Sequence, residues 1–232
     1  MRTFTKLLFA MALISLVACK SEKEAETTEE TATEQTESMT DAAAAKESKS
    51  EAATVLNANL ATKEDLFSSG IDEDLVNTII ENRPFLTAMD FDAVVGDQVN
   101  KEELYKIIFV PFNLNTAAQE DFKIIPGVGD KMAHEFDEYR PYTSVAQFKK
   151  EIGKYVDEDQ VAYYLNYVFV PVELNSASES DIKALPGVGN KMAHEFEEYR
   201  PYTSMAQFRK EIGKYVDDKE LARLERFVYL NE

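Results

Sequence analysis

The feature that most constrains the fold of this chain is an internal duplication in its C-terminal half. Residues 126–157 align with residues 186–217, and 28 of the 32 aligned positions are identical. A second alignment places Arg83-Pro84-Phe85 on Arg140-Pro141-Tyr142, which indicates a third and more diverged copy. Such a period is typical of proteins in which one small supersecondary unit recurs along the chain. The sequence therefore predicts three units, at residues 55–112, 113–172 and 173–232.

Each of the two later copies contains the tetrapeptide Pro-Gly-Val-Gly, at residues 126–129 and 186–189, between two short amphipathic segments. Proline ends a first helix, and glycine adopts backbone conformations that a Cβ atom opposes. The amide groups that begin the next helix have no intrahelical acceptor, and they attract anions. The tetrapeptide therefore predicts a hairpin between two helices. Its bare amides either bind a phosphate, or the glycines only permit a tight turn.

Four short helices are predicted in each unit, and their start signals are clearest in the third copy. Ser178, with an acid three residues later, predicts the start of the first helix, and Asn190 that of the second. The capping box Ser204-Met205-Ala206-Gln207 opens the third helix, and Asp217 with Glu220 opens the fourth. The predicted fold class is therefore all-α, with tandem units of four short helices.

Apolar connectors join the predicted units. They have the sequences Phe-Val-Pro-Phe at residues 109–112 and Phe-Val-Pro-Val at residues 169–172. Proline and β-branched residues favour extended chain. We therefore expect extended connectors that pack against their neighbours and make the array semi-rigid.

Residues 185–193, with the sequence Leu-Pro-Gly-Val-Gly-Asn-Lys-Met-Ala, resemble the helix-hairpin-helix motif, and the lead-in Leu174-Asn175-Ser176-Ala177 resembles the competence DNA receptors of the ComEA type. The resemblance implies tandem helix-hairpin-helix repeats that bind duplex DNA non-sequence-specifically, through backbone phosphates. In that family the contacting groups are hairpin amides and nearby basic side chains. Carried over to this sequence, the candidate phosphate-binding residues are Gly127, Gly129, Lys131, Gly187, Val188, Gly189, Lys191 and Lys214.

Two other hairpins depart from this pattern. After the third helix of the last copy, Tyr215 takes the place of the second glycine. In the first copy Asp72 stands where Gly189 stands in the last, and its carboxylate is expected to repel an anion. We therefore expect the last copy to carry most of any DNA affinity. Replacing Gly189 by Asp is expected to lower stability as well, because it adds a Cβ to the turn.

The charge balance weighs against a nucleic-acid partner. Residues 55–232 contain 19 Lys and Arg against 33 Asp and Glu, a net charge of −14, and the last copy is the least negative at −3. DNA-binding domains usually carry a basic surface. Two functions therefore stay open: DNA binding, and an acidic protein-interaction or structural repeat protein that has lost DNA binding.

No enzyme, metal site or cofactor is predicted. His194 and Glu198 have the spacing of two ligands on one helix face, but the second histidine of a zinc-protease helix is missing. We interpret His134 and His194 as helix-surface residues, and Glu195 and its acidic neighbours as a solvated face. No combination of nucleophile, base and orienting group can be assembled.

The sequence Tyr-Arg-Pro-Tyr occurs in both later copies, at residues 139–142 and 199–202. One interpretation is a helix end packed by tyrosines. The other is a partner-binding knob, because Tyr and Arg dominate interface hot spots.

The N-terminus predicts an address and a tether. Residues 1–18 have the layout of a secretory signal peptide, and Leu16-Val17-Ala18-Cys19 resembles a bacterial lipobox. The resemblance implies that Cys19, the single cysteine, is lipidated and anchors the protein in the cell envelope, at the outer membrane because Lys20 follows it. The periplasmic side and the cell surface stay open, and so does an ordinary signal peptide with an incidental cysteine. Residues 19–54 lack aromatic residues, Gly and Pro, and predict a disordered acidic tether.

Overall fold

Helices dominate residues 54–231, the part of the chain that the computed structural model describes, and short strands alternate with them. We divide this part into three segments by its paired strands, at residues 56–109, 112–169 and 172–229. The first segment contains β1 (Leu56–Asn57), α1 (Lys63–Ser68), α2 (Glu73–Glu81), α3 (Ala88–Val95), α4 (Lys101–Tyr105) and β2 (Ile108–Phe109). The predicted signal peptide, Cys19 and nearly all of the predicted tether lie outside the described residues.

The other two segments contain the same order of elements. The second contains β3 (Phe112–Asn113), a 3₁₀ helix (Gln119–Ile124), α5 (Asp130–Glu138), α6 (Val145–Ile152), α7 (Glu158–Tyr164) and β4 (Val168–Phe169). The third contains β5 (Val172–Glu173), α8 (Glu179–Lys183), α9 (Asn190–Glu198), α10 (Met205–Ile212), α11 (Asp218–Glu225) and β6 (Val228–Tyr229). Within residues 54–231, no helix combines the length and the apolar character needed to cross a bilayer.

The prediction of a mostly helical chain is confirmed, and the extended connectors contribute short paired strands that were not predicted. In each segment the first strand pairs in parallel with the last, as β1 does with β2, β3 with β4 and β5 with β6. The extended connectors are buried, and buried backbone groups need hydrogen-bond partners. Leu56 N donates to Ile107 O at 2.7 Å, and Ala58 N donates to Phe109 O at 2.8 Å. The second and third strand pairs begin at Phe112 and Val172, one residue before the boundaries drawn from the sequence.

Three of the four predicted start residues cap their helices, and α9 begins at the fourth, Asn190. The side chains of Ser178, Ser204 and Asp217 each accept a hydrogen bond from the backbone N–H three residues later. The capping box of α10 closes one residue earlier than predicted, since Gln207 Oε1 accepts from Thr203 N at 2.9 Å rather than from Ser204 N.

The asparagine of the lead-in has a structural role in all three segments. Asn175 Nδ2 donates to Tyr202 O at 2.9 Å, and Tyr202 N donates to Asn175 Oδ1 at 2.7 Å. The same two-bond bridge joins Asn115 to Tyr142 and Asn59 to Phe85. The bridge ties the start of each segment to the residue that follows its Arg-Pro pair. The resemblance carried by this lead-in therefore has a folding explanation in this chain.

Aromatic side chains fill the core. In the second segment the buried ring of Phe136 makes edge contacts with Phe122, Phe148 and Tyr164. The first and second segments share one continuous hydrophobic cluster, and the third segment has a cluster of its own.

Candidate functional site

The first glycine of each hairpin has the backbone conformation that the sequence predicts. Gly127 has φ +85° and Gly187 has φ +75°, in the left-handed region that favours glycine. The valine that follows is buried in both hairpins, and Val188 N donates to Leu185 O at 3.1 Å. These contacts fix the turn between α8 and α9.

The second glycine departs from the prediction, because its backbone is extended. Gly129 has φ −95° and Gly189 has φ −85°, which any residue adopts, and a Cβ at either position would meet no atom within 4 Å. Glycine is therefore not needed there for the turn. Its effect is to leave the helix uncapped: Gly189 is the N-cap residue of α9 and has no side chain to accept a hydrogen bond.

The α-helices that follow these two hairpins start without a side-chain cap. Among the α-helices of residues 54–231, α5 and α9 begin without a capping side chain, whereas each of the others has one. In α9 the first amide that finds an acceptor is that of Ala193, which donates to Gly189 O at 3.0 Å. The amides of Asn190, Lys191 and Met192 have no acceptor in the described part of the chain. They form a small patch of positive potential at the helix start.

The candidate lysines separate into two kinds. Lys131 and Lys191 are exposed at the starts of α5 and α9, and within residues 54–231 neither has a carboxylate oxygen within 4.0 Å. Lys214, in contrast, pairs with Glu211, and its Nζ lies 4.8 Å from the ring centroid of Tyr199, just beyond the end of α9. The hydrogen bond to Glu211 raises the pKa of Lys214. The structure thus places Lys214 at the opposite end of α9 from Gly189, about 13 Å away by helix geometry.

The two Gly-Val-Gly hairpins differ at the first residue of the helix that follows. Asp130 begins α5, and its Oδ1 lies 2.5 Å from Lys123 Nζ. That hydrogen bond lowers the pKa of Asp130. In α9 the corresponding residue is the neutral Asn190. A carboxylate thus stands at the amide patch of α5, and none stands at that of α9.

The second hairpin also faces the first segment across a cleft of about 540 Å³. Asp92, Lys101 and Tyr105 line the far side of this cleft, and residues 126–129 line the near side. Lys101 Nζ lies 2.9 Å from Asp92 Oδ2, so this lysine is already paired. Any anion that approaches the second hairpin therefore meets Asp130 and Asp92 as well as the amides.

The histidines lie on the protein surface. His134 Nε2 is 3.4 Å from Glu138 Oε2, and His194 Nε2 is 3.6 Å from Glu198 Oε2. Within residues 54–231, no group of three or more His, Cys, Asp or Glu side chains is arranged to hold a metal ion.

The prediction of a solvated acidic face is wrong for Glu195, and its counterpart Glu135 is buried as well. Their residues are 8 % and 7 % exposed, and one carboxylate oxygen of each has no hydrogen-bond partner. Glu195 lies beside Tyr215, whose hydroxyl is 2.7 Å from that of Tyr199. The hydrogen bond to Tyr199 and the nearby carboxylate of Glu195 raise the pKa of Tyr215. The sequence signal for this cluster was the tyrosine at position 215, where a hairpin glycine is expected.

The Tyr-Arg-Pro-Tyr sequence packs the helix end, as the first of its two interpretations held. Tyr202 is buried, and Arg200 donates from Nε to Leu174 O at 2.6 Å and from Nη2 to Ala177 O at 2.8 Å. Arg140 likewise donates to Ala117 O at 2.7 Å. The knob interpretation does not hold for Arg200 and Tyr202, because the arginine side chain holds the lead-in loop and the tyrosine is buried.

A known protein family matches the part of the chain that contains the third segment. A family model described as a helix-hairpin-helix motif matches residues 168–229, which are the third segment and the four residues before it. No curated protein matches the chain. No solved structure matches it either.

Proposed function

We propose that this protein binds duplex DNA without sequence specificity, and that the hairpin of the third segment meets the phosphate backbone. One observation carries the proposal: α9 starts at an uncapped glycine, so three amides that find no acceptor within residues 54–231 lie beside Lys191, which is exposed and has no carboxylate partner in that range. Backbone amides at a helix start, with a lysine nearby, are a common way of binding phosphate oxygens. Helix-hairpin-helix motifs are commonly nucleic-acid binding, and the family match covers this same segment.

The three segments differ in how well they suit this role. In the first segment Asp72 caps α2 with its own carboxylate, and in the second Asp130 occupies the start of α5. The third segment has neither carboxylate, and it is also the least negative by sequence. We therefore propose that the three segments are tandem helix-hairpin-helix units and that the third is the one that contacts DNA.

The rival proposal, an acidic interaction repeat without DNA affinity, also has support. Arg209 pairs bidentately with Glu225, and Lys210 and Lys214 both pair with Glu211. These pairs compensate the basic charge that a DNA surface needs, and residues 55–232 carry a net charge of −14. In this proposal the hairpin is retained for folding alone.

A salt titration separates the two proposals. Duplex DNA binding by the full chain is measured from low to physiological salt, for the wild type and for Lys191→Ala and Lys214→Ala. We expect Lys191→Ala to reduce the slope of log affinity against log salt by about one unit, as for one lost phosphate contact. Lys214→Ala is the matched control, because Lys214 is paired with Glu211 at the far end of α9.

Three results would favour the interaction repeat. They are no binding by the wild type at low salt, equal slopes for all three proteins, or an equal reduction in both variants.

We also propose that the protein is a non-enzymatic lipoprotein of the cell envelope, anchored through Cys19. The sequence around this cysteine supports the proposal. Cys19→Ser is expected to remove the anchor, because no other membrane attachment is predicted from the sequence. Detergent-phase partitioning of membranes from cells that express each form checks this. A mutant that partitions as the wild type does would contradict the lipid anchor.

A further inference from the structure

The hairpin of the third segment is in contact with the first segment. A Cβ built on Gly187 would lie 2.9 and 3.0 Å from the two methyl carbons of Leu60 and 2.8 Å from Arg223 Nη2. A Cβ on Gly127, the counterpart in the second segment, would meet nothing within 4 Å. The two hairpins, identical in sequence, thus have different surroundings.

Leu60 is unusual for its position. It follows the bridging Asn59, whereas the corresponding asparagines of the later segments are followed by the hydroxyl residues Thr116 and Ser176. Its side chain is largely exposed, at 41 %, even though its methyl groups face Gly187. Leu60 is thus apolar where its counterparts carry hydroxyl groups, and it is the residue of the first segment that faces Gly187.

Arg223 also holds this hairpin. It is 2 % exposed, donates from Nη1 to Pro186 O at 2.7 Å and forms a two-bond pair with Glu220. The corresponding residue of the second segment is Tyr163, whose hydroxyl bonds to Tyr167 instead. The arginine at this position thus holds the proline carbonyl of the third hairpin, whereas the tyrosine at the same position in the second segment bonds elsewhere.

Basic side chains at and after α11 extend the contact with the first segment. Arg226 donates from Nη1 to Phe85 O at 3.2 Å and from Nη2 to Pro111 O at 2.7 Å, and Lys219 Nζ lies 3.4 Å from Arg83 O. The second segment has Asn166 and Asp159 at the corresponding positions. The third segment is thus fitted to the first by residues that its near-identical twin lacks.

We infer that Leu60 and Arg223 are positioning residues for the third hairpin, and that the first segment is the platform on which this hairpin is held. Leu60 supports Gly187 and Arg223 fixes the carbonyl of Pro186, while the space around Gly189 stays open. The role of this platform in phosphate binding rests on the proposed function. A segment whose own hairpin is capped by Asp72 would thereby still contribute to phosphate binding.

Hydrogen exchange tests the positioning without DNA. In the full chain, the amide of Val188 donates to Leu185 O and that of Val128 donates to Ile125 O, so the two are matched probes of the third and second hairpins. We expect Leu60→Ser to speed exchange at Val188 at least threefold and to leave Val128 unchanged. Leu86→Ser, at a first-segment leucine that is 43 % exposed, should change neither.

Duplex DNA binding supplies the functional half of the test. Leu60→Ser and Arg223→Met are expected to weaken binding severalfold, and Leu60→Met, which keeps the apolar contact, to restore it. Unchanged exchange at Val188 in both Leu60→Ser and Arg223→Met would overturn the inference. Equal acceleration of exchange at Val188 and Val128 would overturn it as well, because it indicates general destabilisation. If the wild type fails to bind DNA while Val188 still responds selectively, the platform stands and the proposed function fails.

Discussion

The hairpins of the first and third segments share a backbone but differ in what they offer a ligand. Gly70 and Gly187 have φ +79° and φ +75°, and the residue after each of them is buried. Two residues further on, Asp72 accepts from Asp74 N at 2.9 Å and so caps α2, whereas Gly189 leaves α9 uncapped. One substitution thus decides whether the helix-start amides are satisfied within the chain or are open to an anion.

Stability and anion binding compete at the residue that precedes the helix, which is Asp72 in the first segment and Gly189 in the third. A capping side chain satisfies amides that an outside phosphate would otherwise meet. The second hairpin is intermediate in its openness to an anion, because α5 has no side-chain cap but begins with the carboxylate of Asp130. The three hairpins therefore form a series from closed to open, and each can be moved along that series by one change.

The largest expected effect concerns the first glycine. Gly187→Ala and Gly70→Ala both place a Cβ at positive φ, which costs about 1–2 kcal/mol. Gly187→Ala should cost more than Gly70→Ala, because its Cβ also meets Leu60 and Arg223, whereas that of Gly70 meets open space. Urea unfolding of the full chain measures both. A greater loss of unfolding free energy in Gly70→Ala than in Gly187→Ala would contradict the proposed contact between Leu60 and the third hairpin.

Start signals for helices could be predicted from the sequence because they act locally. Ser178 and Asp217 need only the next three residues to form their caps, and the structure contains both caps. The first glycine of each hairpin was predictable for the same reason, since a left-handed turn favours glycine in any surroundings.

Features that depend on distant parts of the chain could not be predicted in this way. The pairing of β5 with β6 joins residues more than fifty positions apart, and Leu60 meets Gly187 across two segment boundaries. Glu195 also lies beside Tyr215, which belongs to the next hairpin. The sequence around each residue contains no sign of such partners, because long-range packing decides them.

The second prediction exchanges the residues of the compared hairpins. Gly189→Asp copies Asp72 into the third segment, and the extended backbone at Gly189 accepts it without strain. We therefore expect stability to rise by about 0.3–1 kcal/mol, from a cap and an acid at the helix start, which corrects the loss expected from the sequence. Affinity for duplex DNA should fall about tenfold, because the carboxylate takes the amides and repels phosphate.

Gly189→Ser separates the two causes of that fall. It supplies a capping oxygen without a charge, so it should stabilise the chain and weaken DNA binding less than Asp does. Equal DNA affinity in the wild type and in Gly189→Asp would show that the third hairpin is not the phosphate site. Thermal unfolding and a binding titration at low salt measure the two effects on the same samples.

The smallest expected effect comes from opening the intermediate hairpin. Asp130→Asn gives the second segment the residue that the third has at position 190. The Lys123 hydrogen bond lowers the pKa of Asp130 below its ordinary value of 3.8, so the pair stabilises the folded state above about pH 4. That contribution is lost as the pH falls through the lowered pKa. The stability difference between wild type and Asp130→Asn should therefore be constant near neutral pH and vanish in acid.

Asp130→Asn should also raise DNA affinity, and the test is sharpest when the third hairpin is closed by Gly189→Asp. In that background, removal of an acid from the amide patch should raise affinity about two- to fivefold, the usual size of a charge effect at a helix start. Glu138→Gln is the matched control, because it removes the same charge at the other end of α5. An equal gain from Glu138→Gln would mean that net charge alone governs binding. A gain confined to Asp130→Asn would instead assign the effect to the amides that follow Gly129.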